Sequence, residues 1–178
     1  MNRYSNEIKP NEEQLLNMSS IEKLQLIDDY NQIFHYELSR IPYSELVATE
    51  KGDAVSIAEA FYLKEGYEVY RSRINNGYRS IILELYGEGY KNTLSEPDER
   101  LMQILKGLMS PDEFKEFATM IHETNRTPDL LLIKNNKISF AEVKDNHDTI
   151  KSSTVEFYLK YGHKWPISIL RVIRKTLL

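Results

Sequence analysis

The feature that most restricts the fold is a pair of apolar runs around Asn135-Asn136, in the stretch TPDLLLIKNNKISFAEVKD from Thr127 to Asp145. Two such runs separated by two turn-forming residues predict a β-hairpin with a tight loop. If the two asparagines form the loop, the numbers of paired residues sum to 271, so that Leu131 lies opposite Phe140. Because both faces of the hairpin are largely apolar, we expect its strands to be central and covered on both sides.

The charged residues of this hairpin lie together at one end. In the same register Asp129 faces Glu142, and Lys144 lies on the face that carries Glu142. Directly opposed carboxylates, about 5 Å apart at Cβ, repel each other. A divalent cation between them would reverse this effect, and oxygen ligands favour Mg²⁺ or Mn²⁺. The nearby lysine could orient a water molecule, deprotonate it as the neutral amine, or as the ammonium offset charge on a phosphorane-like transition state. The arrangement therefore predicts metal-assisted hydrolysis of a phosphodiester.

Each half of this motif is common by itself, since Pro-Asp and Glu-x-Lys each occur three times in the chain. The other two Pro-Asp pairs lie at predicted helix starts. Only Pro128-Asp129 and Glu142-Val143-Lys144 place both halves on neighbouring strands in matching register. The alternative interpretation is that Glu142 and Lys144 merely frame the end of a strand.

The remainder of the chain alternates helical and extended patterns. Residues 10–46 are predicted to be helical and acidic, with Pro42 ending the segment. The further elements are a helix from about Glu50 to Glu65, a strand in YEVYRSR, helices that start at Ser95-Glu96-Pro97-Asp98 and Ser110-Pro111-Asp112-Glu113, the hairpin, a helix from about Thr149 to Tyr161, and a strand in ISILRVI. This order predicts an α/β fold. The segment SIILELY fits either a strand or a short helix.

Composition sets further limits on the chain, which has 178 residues, no cysteine and a formal net charge of −4. Disulfides and thiolate metal sites are thus excluded, and the absence of a long apolar run predicts a cytoplasmic protein with no membrane span. The charge is uneven, because residues 129–178 hold nine Lys and Arg against five Asp and Glu. A polyanion such as DNA would therefore approach the C-terminal part.

The motif Pro128-Asp129 … Glu142-Val143-Lys144 resembles the signature of the PD-(D/E)XK nuclease superfamily. More narrowly, the segments Glu50–Arg71, Thr127–Lys144 and Asp145–Gly162 resemble the VRR-NUC domain, the virus-type replication-repair nuclease module. The resemblance implies an α/β, restriction-endonuclease-like core, in which a central mixed sheet is flanked by helices. It implies a nuclease domain over residues 47–178 with a helical insertion at about 78–125, preceded by an acidic helical extension over residues 1–46. The implied activity is Mg²⁺- or Mn²⁺-dependent cleavage of DNA, selective for branched or flap structures.

The resemblance also implies site residues. The opening helix of the family supplies a further acid to the metal, and Glu50 is the candidate because it would share a stripe with Ala54 and Ile57. Glu59 is the alternative, but it lies on a different stripe, where we expect it to face solvent. The implied metal ligands are Asp129, Glu142, Glu50 and the backbone carbonyl of Val143.

Contacts to nucleic acid are implied less specifically. The candidates are Arg71, Arg73, His147, Lys151 and Thr154, and for each of them an ordinary surface position is the alternative. Thr154 stands where the family usually has glutamine, and Thr127 stands where it usually has glycine.

Two functional hypotheses follow. The first is a DNA nuclease, which would act as a homodimer if it cleaves branched DNA. The second is a nuclease-fold module that binds DNA or protein with weak or no cleavage, in which the acidic N-terminal helices would dock a protein partner. The sequence leaves open whether the substrate is DNA or RNA.

Overall fold

The computed structural model describes residues 19–49, 52–72, 78, 96–123 and 127–174. Helices and strands follow one another in the order α1 Ser20–Arg40, β1 Tyr43–Ala48, α2 Ala54–Lys64, β2 Glu68–Arg71, α3 Glu96–Leu108, α4 Pro111–Glu123, β3 Leu130–Lys134, β4 Lys137–Lys144, α5 Ser152–Tyr161 and β5 Ile167–Arg174. None of the helices described is long and apolar enough to cross a membrane.

The strands form one mixed sheet in the order β1-β5-β4-β3-β2. β2, β3 and β4 pair antiparallel, whereas β4 pairs parallel with β5 and β5 pairs parallel with β1. The expected α/β fold with a central mixed sheet flanked by helices is thereby confirmed. Because β4, β5 and β1 are parallel, their carboxyl ends lie at the same edge of the sheet, and this is the edge at which Lys144 ends β4.

Two apolar clusters cover the two faces of the sheet. On one face α2 packs on alternate residues of the strands, including Leu130, Ala141 and Val172. On the other face the larger cluster joins α1, α3, α4 and α5 to the remaining alternate residues, and its centre is Phe140, which contacts the rings of Phe117 and Phe157. The hairpin strands are therefore buried on both sides, as their sequence predicts.

The hairpin has the expected register. Leu130 pairs with Ala141, Leu131 with Phe140, and Lys134 with Lys137, so that paired numbers sum to 271. Asn135 and Asn136 have φ values of 52° and 59°, in the left-handed region that a two-residue type I′ loop requires and that asparagine tolerates. The loop thus fixes which residues reach the far end of the hairpin.

The N-terminal part required the largest correction. Residues 10–18 of the predicted helical segment over residues 10–46 lie outside the described residues. The described part forms a helix from Ser20 to Arg40, and Pro42 lies after its end, as expected. Residues from Tyr43 onward form β1 and pair with β5. The expected boundary between residues 46 and 47 falls inside this strand, and Phe34 and Leu38 of α1 belong to the larger core cluster.

Predicted helix starts are confirmed in the insertion and corrected in α2. Ser110 and Glu113 form a reciprocal capping box at the start of α4, in which the Ser110 backbone N–H donates to Glu113 Oε2 at 2.9 Å. α2 begins at Ala54 instead of Glu50, because Asp53 has an extended backbone and its carboxylate accepts a 2.9 Å hydrogen bond from the Ser56 backbone N–H. Glu50, Arg73 and the segment SIILELY lie outside the described residues.

Candidate active site

The Pro128-Asp129 pair is held by hydrogen bonds from three parts of the fold. The buried Tyr78 hydroxyl donates to the carbonyl of Pro128 at 2.7 Å, and the Ser72 backbone N–H donates to the carbonyl of Asp129 at 2.9 Å. The Val143 backbone N–H donates to Asp129 Oδ2 at 2.8 Å. The Asp129 carboxylate is therefore fixed beside β4 instead of swinging freely at the end of the hairpin.

Glu142 and Lys144 form an ion pair at the same end of β4. Lys144 Nζ lies 2.5 Å from Glu142 Oε1, and the two side chains are only 8% and 15% exposed. They point to the same face because they are two residues apart on a strand. The sequence prediction that Asp129, Glu142 and Lys144 come together at one end of the hairpin is consistent with these contacts.

Burial dominates the electrostatics of the two acids. It raises the pKa of Glu142, and the nearby Asp129 carboxylate raises it further, while Lys144 acts in the opposite direction. Burial likewise raises the pKa of Asp129, against the hydrogen bond from Val143 and the charge of Lys144. The repulsion that the sequence predicts between the two acids therefore contributes to the raised pKa of Glu142, but less than burial does.

The loop after β4 brings two more charges to the acids. The Asp148 carboxylate raises the pKa of Asp129, whereas Lys151 lowers the pKa of both Asp129 and Glu142. Lys151 is exposed and is the N-cap residue of α5. Among the described residues it makes no ion pair, unlike Lys144, Arg71 and Arg174.

Arg71 lies on the other face of the sheet, in a polar network against α2. Its guanidinium forms an ion pair with Glu59 and donates to Ser56 Oγ at 3.0 Å. Glu59 is half-buried in this pair, so the expectation that it faces solvent was wrong. Asp53 accepts hydrogen bonds from Ser56 and completes the network. The Asp53-x-x-Ser56 capping pattern could have revealed this acid at the start of α2 in the sequence.

Two further candidates for DNA contacts, Thr154 and His147, lie in α5 and in the loop before it. Thr154 is buried in the first turns of α5, where its side chain is covered by the core and is not available to a ligand on the surface. His147 is exposed in the loop between β4 and α5.

The oxygen atoms at this end of the sheet are of the kind that a hard divalent cation binds, but the described residues do not supply a complete set of protein ligands. Asp129 and Glu142 offer carboxylates and Val143 offers a backbone carbonyl, and Mg²⁺ commonly binds through one or two carboxylates with water. Across the part of the chain that the structure describes, no group of three or more His, Asp or Glu side chains is arranged to hold a metal. The third acid expected, Glu50, lies outside that part.

No protein-family model matches the chain, and no curated protein matches it. Among solved structures, the chain is similar to paFAN1 bound to 2-nt 5′-flap DNA with a gap, with a TM-score of 0.48 and 11% identity. It is also similar to paFAN1 bound to 1-nt 5′-flap DNA with a gap, with a TM-score of 0.47 and 11% identity. Each match covers 92% of this chain and 45% of the other, so this chain spans less than half of the proteins that it matches.

Proposed function

We propose that this protein is a divalent-metal-dependent nuclease that hydrolyses phosphodiester bonds of DNA. The observation that carries the proposal is the buried grouping of Asp129, Glu142 and Lys144 at the carboxyl edge of the sheet. Burial raises the pKa values of both acids, and Lys144 forms an ion pair with one of them. Burying such charges destabilises the fold, and acids perturbed in this way are typical of a functional site. The resemblance of this motif to the PD-(D/E)XK signature supports the same chemistry.

Each side chain has a distinct task in this proposal. Asp129, Glu142 and the carbonyl of Val143 would hold Mg²⁺ or Mn²⁺, with Glu50 as the further acid. When bound, the cation supplies Lewis-acid activation of water and of the scissile phosphate. Lys144 Nζ donates a hydrogen bond toward the reacting phosphate oxygens, or holds the attacking water, from a position fixed by Glu142.

Lys151 is suited to bind the substrate backbone. Its side chain is exposed and makes no ion pair among the described residues, and its charge lowers the pKa of both acids. A phosphate contacted there would also meet the N-terminus of α5, where backbone N–H groups favour an anion. Contacts of this kind read the backbone and not the bases, so selectivity would depend on DNA structure.

The test is a cleavage assay on end-labelled single-stranded, duplex, 5′-flap and branched DNA, and on RNA of the same sequence, with Mg²⁺, Mn²⁺ or chelator. We expect cleavage of at least one DNA structure with either metal and none in chelator. Asp129→Asn and Glu142→Gln should abolish it. Glu123→Gln is the matched control, because Glu123 makes an exposed ion pair with Lys160 on the helical side of the molecule.

Three outcomes would contradict the proposal. Cleavage that persists in Asp129→Asn would show that the hairpin is not the active site. Cleavage of RNA alone would place the substrate in the other class of nucleic acid. Metal-dependent DNA binding without cleavage of any structure would instead favour the binding module.

A further inference from the structure

Arg171 is a buried cation on β5 that the proposed reaction does not use directly. Its side chain is 8% exposed. Nη1 donates to the carbonyls of Asp145 at 2.7 Å and Asn146 at 3.1 Å, and Nη2 donates to the carbonyl of Asp148 at 3.0 Å. Nε donates to the Tyr43 hydroxyl at 3.1 Å. One guanidinium thus joins the loop after β4 to β1.

The position of Arg171 in the sheet places this contact beside the candidate active site. Arg171 is the register partner of Lys144 on β4, and Glu45 of β1 is its partner on the other side. Register partners project their side chains to the same face. The Arg171 side chain therefore leaves the sheet on the same face as Lys144, and its guanidinium binds the loop that runs from Lys144 to Lys151.

The chemistry of this contact requires an arginine. Burying a cation is costly unless its donors are satisfied, and among the described residues Arg171 has no carboxylate partner. Only the planar, five-donor guanidinium can reach several carbonyls on one loop at once, whereas an ammonium acts from a single point. Apolar packing would stabilise this position at least as well as a buried charge. A buried arginine at this point is better explained by the loop conformation that it imposes.

We propose that Arg171 is a positioning residue for the site, which fixes residues 145–148 so that Lys144 and Lys151 keep their places beside the two acids. The inference about activity rests on the proposed nuclease function, but the loop order that Arg171 imposes does not. Among the described residues Arg171 makes no hydrogen bond to Asp129 or Glu142, so its effect on the site is transmitted through the loop backbone.

The test uses the full chain and the substitutions Arg171→Lys and Arg171→Met, with Arg174→Met as the matched control. Arg174 also reaches this loop from β5, but through an ion pair with Asp145 in which the two side chains are 41% and 35% exposed. Amide hydrogen exchange is measured along the chain, together with steady-state kcat and KM on the DNA structure that wild type cleaves.

We expect exchange in residues 145–151 to rise in both Arg171 variants and to stay near wild type in Arg174→Met. We expect kcat to fall at least about ten-fold in Arg171→Lys even though the charge is kept, since small misplacements of catalytic groups have effects of this size. Normal local exchange in Arg171→Lys would overturn the inference whether or not wild type cleaves DNA. A uniform rise in exchange with unchanged kcat would also overturn it, because that result describes a purely structural arginine. Failure of wild type to cleave would count against the nuclease function alone, and the exchange data would still decide the role of Arg171 in the loop.

Discussion

The backbone N–H of Val143 donates a 2.8 Å hydrogen bond to Oδ2 of Asp129, across the hairpin from the end of β3. The ladder between β3 and β4 ends one residue earlier, at Leu130 and Ala141. Beyond this last pair, the Asp129 side chain continues the contact between the strands by accepting the hydrogen bond from Val143, which lies between Glu142 and Lys144. The spacing of the acids is set by backbone contacts, so their charges can be changed without dismantling the hairpin.

The first prediction concerns the stability of the metal-free protein. Asp129→Asn keeps an oxygen that accepts the hydrogen bond from Val143 but removes a buried negative charge near Glu142. We expect the free energy of unfolding at pH 7 in chelator to rise by up to about 1 kcal/mol, the scale of like-charge repulsion between opposed strand residues. Urea denaturation measures this change. A clear loss of stability would contradict this prediction, because it would mean that the attraction of Lys144 and Lys151 for the Asp129 charge outweighs burial and repulsion by Glu142.

The same variant gives a pH dependence of known sign. The folded-state pKa values of Asp129 and Glu142 are raised, so between the ordinary and the raised values the folded state binds protons that the unfolded state has released. Stability from these groups is therefore present below their ordinary pKa values and is lost as pH rises through the raised ones. The advantage of Asp129→Asn over wild type should therefore shrink as pH falls from the raised pKa values to the ordinary aspartate value, and an advantage independent of pH would contradict the electrostatic explanation.

A second prediction concerns Lys144. Removing its ammonium in Lys144→Met leaves the mostly buried Glu142 without its ion-pair partner. We expect a loss of about 2 kcal/mol in metal-free protein, less than the roughly 3–5 kcal/mol for a fully buried pair because Glu142 can take up a proton. Lys160→Met is the control, since its pair with Glu123 is about half exposed and should contribute little. An equal loss of unfolding free energy in the two variants would contradict the claim that the buried Lys144–Glu142 pair stabilises the fold more than the exposed Lys160–Glu123 pair does.

A third prediction concerns substrate binding by Lys151. Lys151→Gln should lower the melting temperature only slightly, because this side chain makes no hydrogen bond or ion pair within the described residues and acts on the two acids through its charge alone. It should weaken DNA binding in Ca²⁺ or chelator and reduce the slope of log affinity against log salt by about one, as expected for one phosphate contact. Binding is measured by fluorescence anisotropy over a range of salt. If the slope of log affinity against log salt is unchanged, Lys151 does not contact a DNA phosphate.

A fourth prediction separates Glu50 from Glu59. If Glu50 supplies the further acid, Glu50→Gln should abolish cleavage with little loss of stability. Glu59→Gln breaks the half-buried pair with Arg71 and should cost on the order of 1 kcal/mol while leaving kcat unchanged. Cleavage rates and denaturation of the two variants decide between them. If only Glu59→Gln loses cleavage, the active site would include the α2 face of the sheet, and the assignment of Glu50 would be wrong.

Local rules predicted the parts of the fold in which neighbouring residues decide the structure. Asn135 and Asn136 can adopt positive φ, so the turn and then the whole register of the hairpin could be read from the sequence. The capping box of Ser110 and Glu113 likewise marked the start of α4. The grouping of Asp129, Glu142 and Lys144 follows directly from the hairpin.

Long-range contacts decided the parts that were missed. β1 is a short edge strand whose pairing with β5 joins residues more than a hundred positions apart, so no local pattern distinguishes it from the end of a helix. Glu50 was favoured because it would share one face of a helix with Ala54 and Ile57, which requires the helix to begin at Glu50. The N-cap at Asp53 instead starts α2 at Ala54. Arg71 was expected to be a DNA contact or an ordinary surface residue, and nothing in the sequence singled out Arg171. Only the packing of α2 and of the loop after β4 shows what the two arginines contact.

The most direct measurement of the central claim compares wild type and Lys144→Met under conditions in which both are folded and metal-saturated. Mn²⁺ binding is measured by calorimetry, and the single-turnover rate of DNA cleavage is measured on the same preparations. Because the carboxylates remain in Lys144→Met, we expect Mn²⁺ binding to persist while the cleavage rate falls at least about a hundred-fold. Cleavage by Lys144→Met at the wild-type rate would contradict the assignment of the hairpin end as the active site of a nuclease.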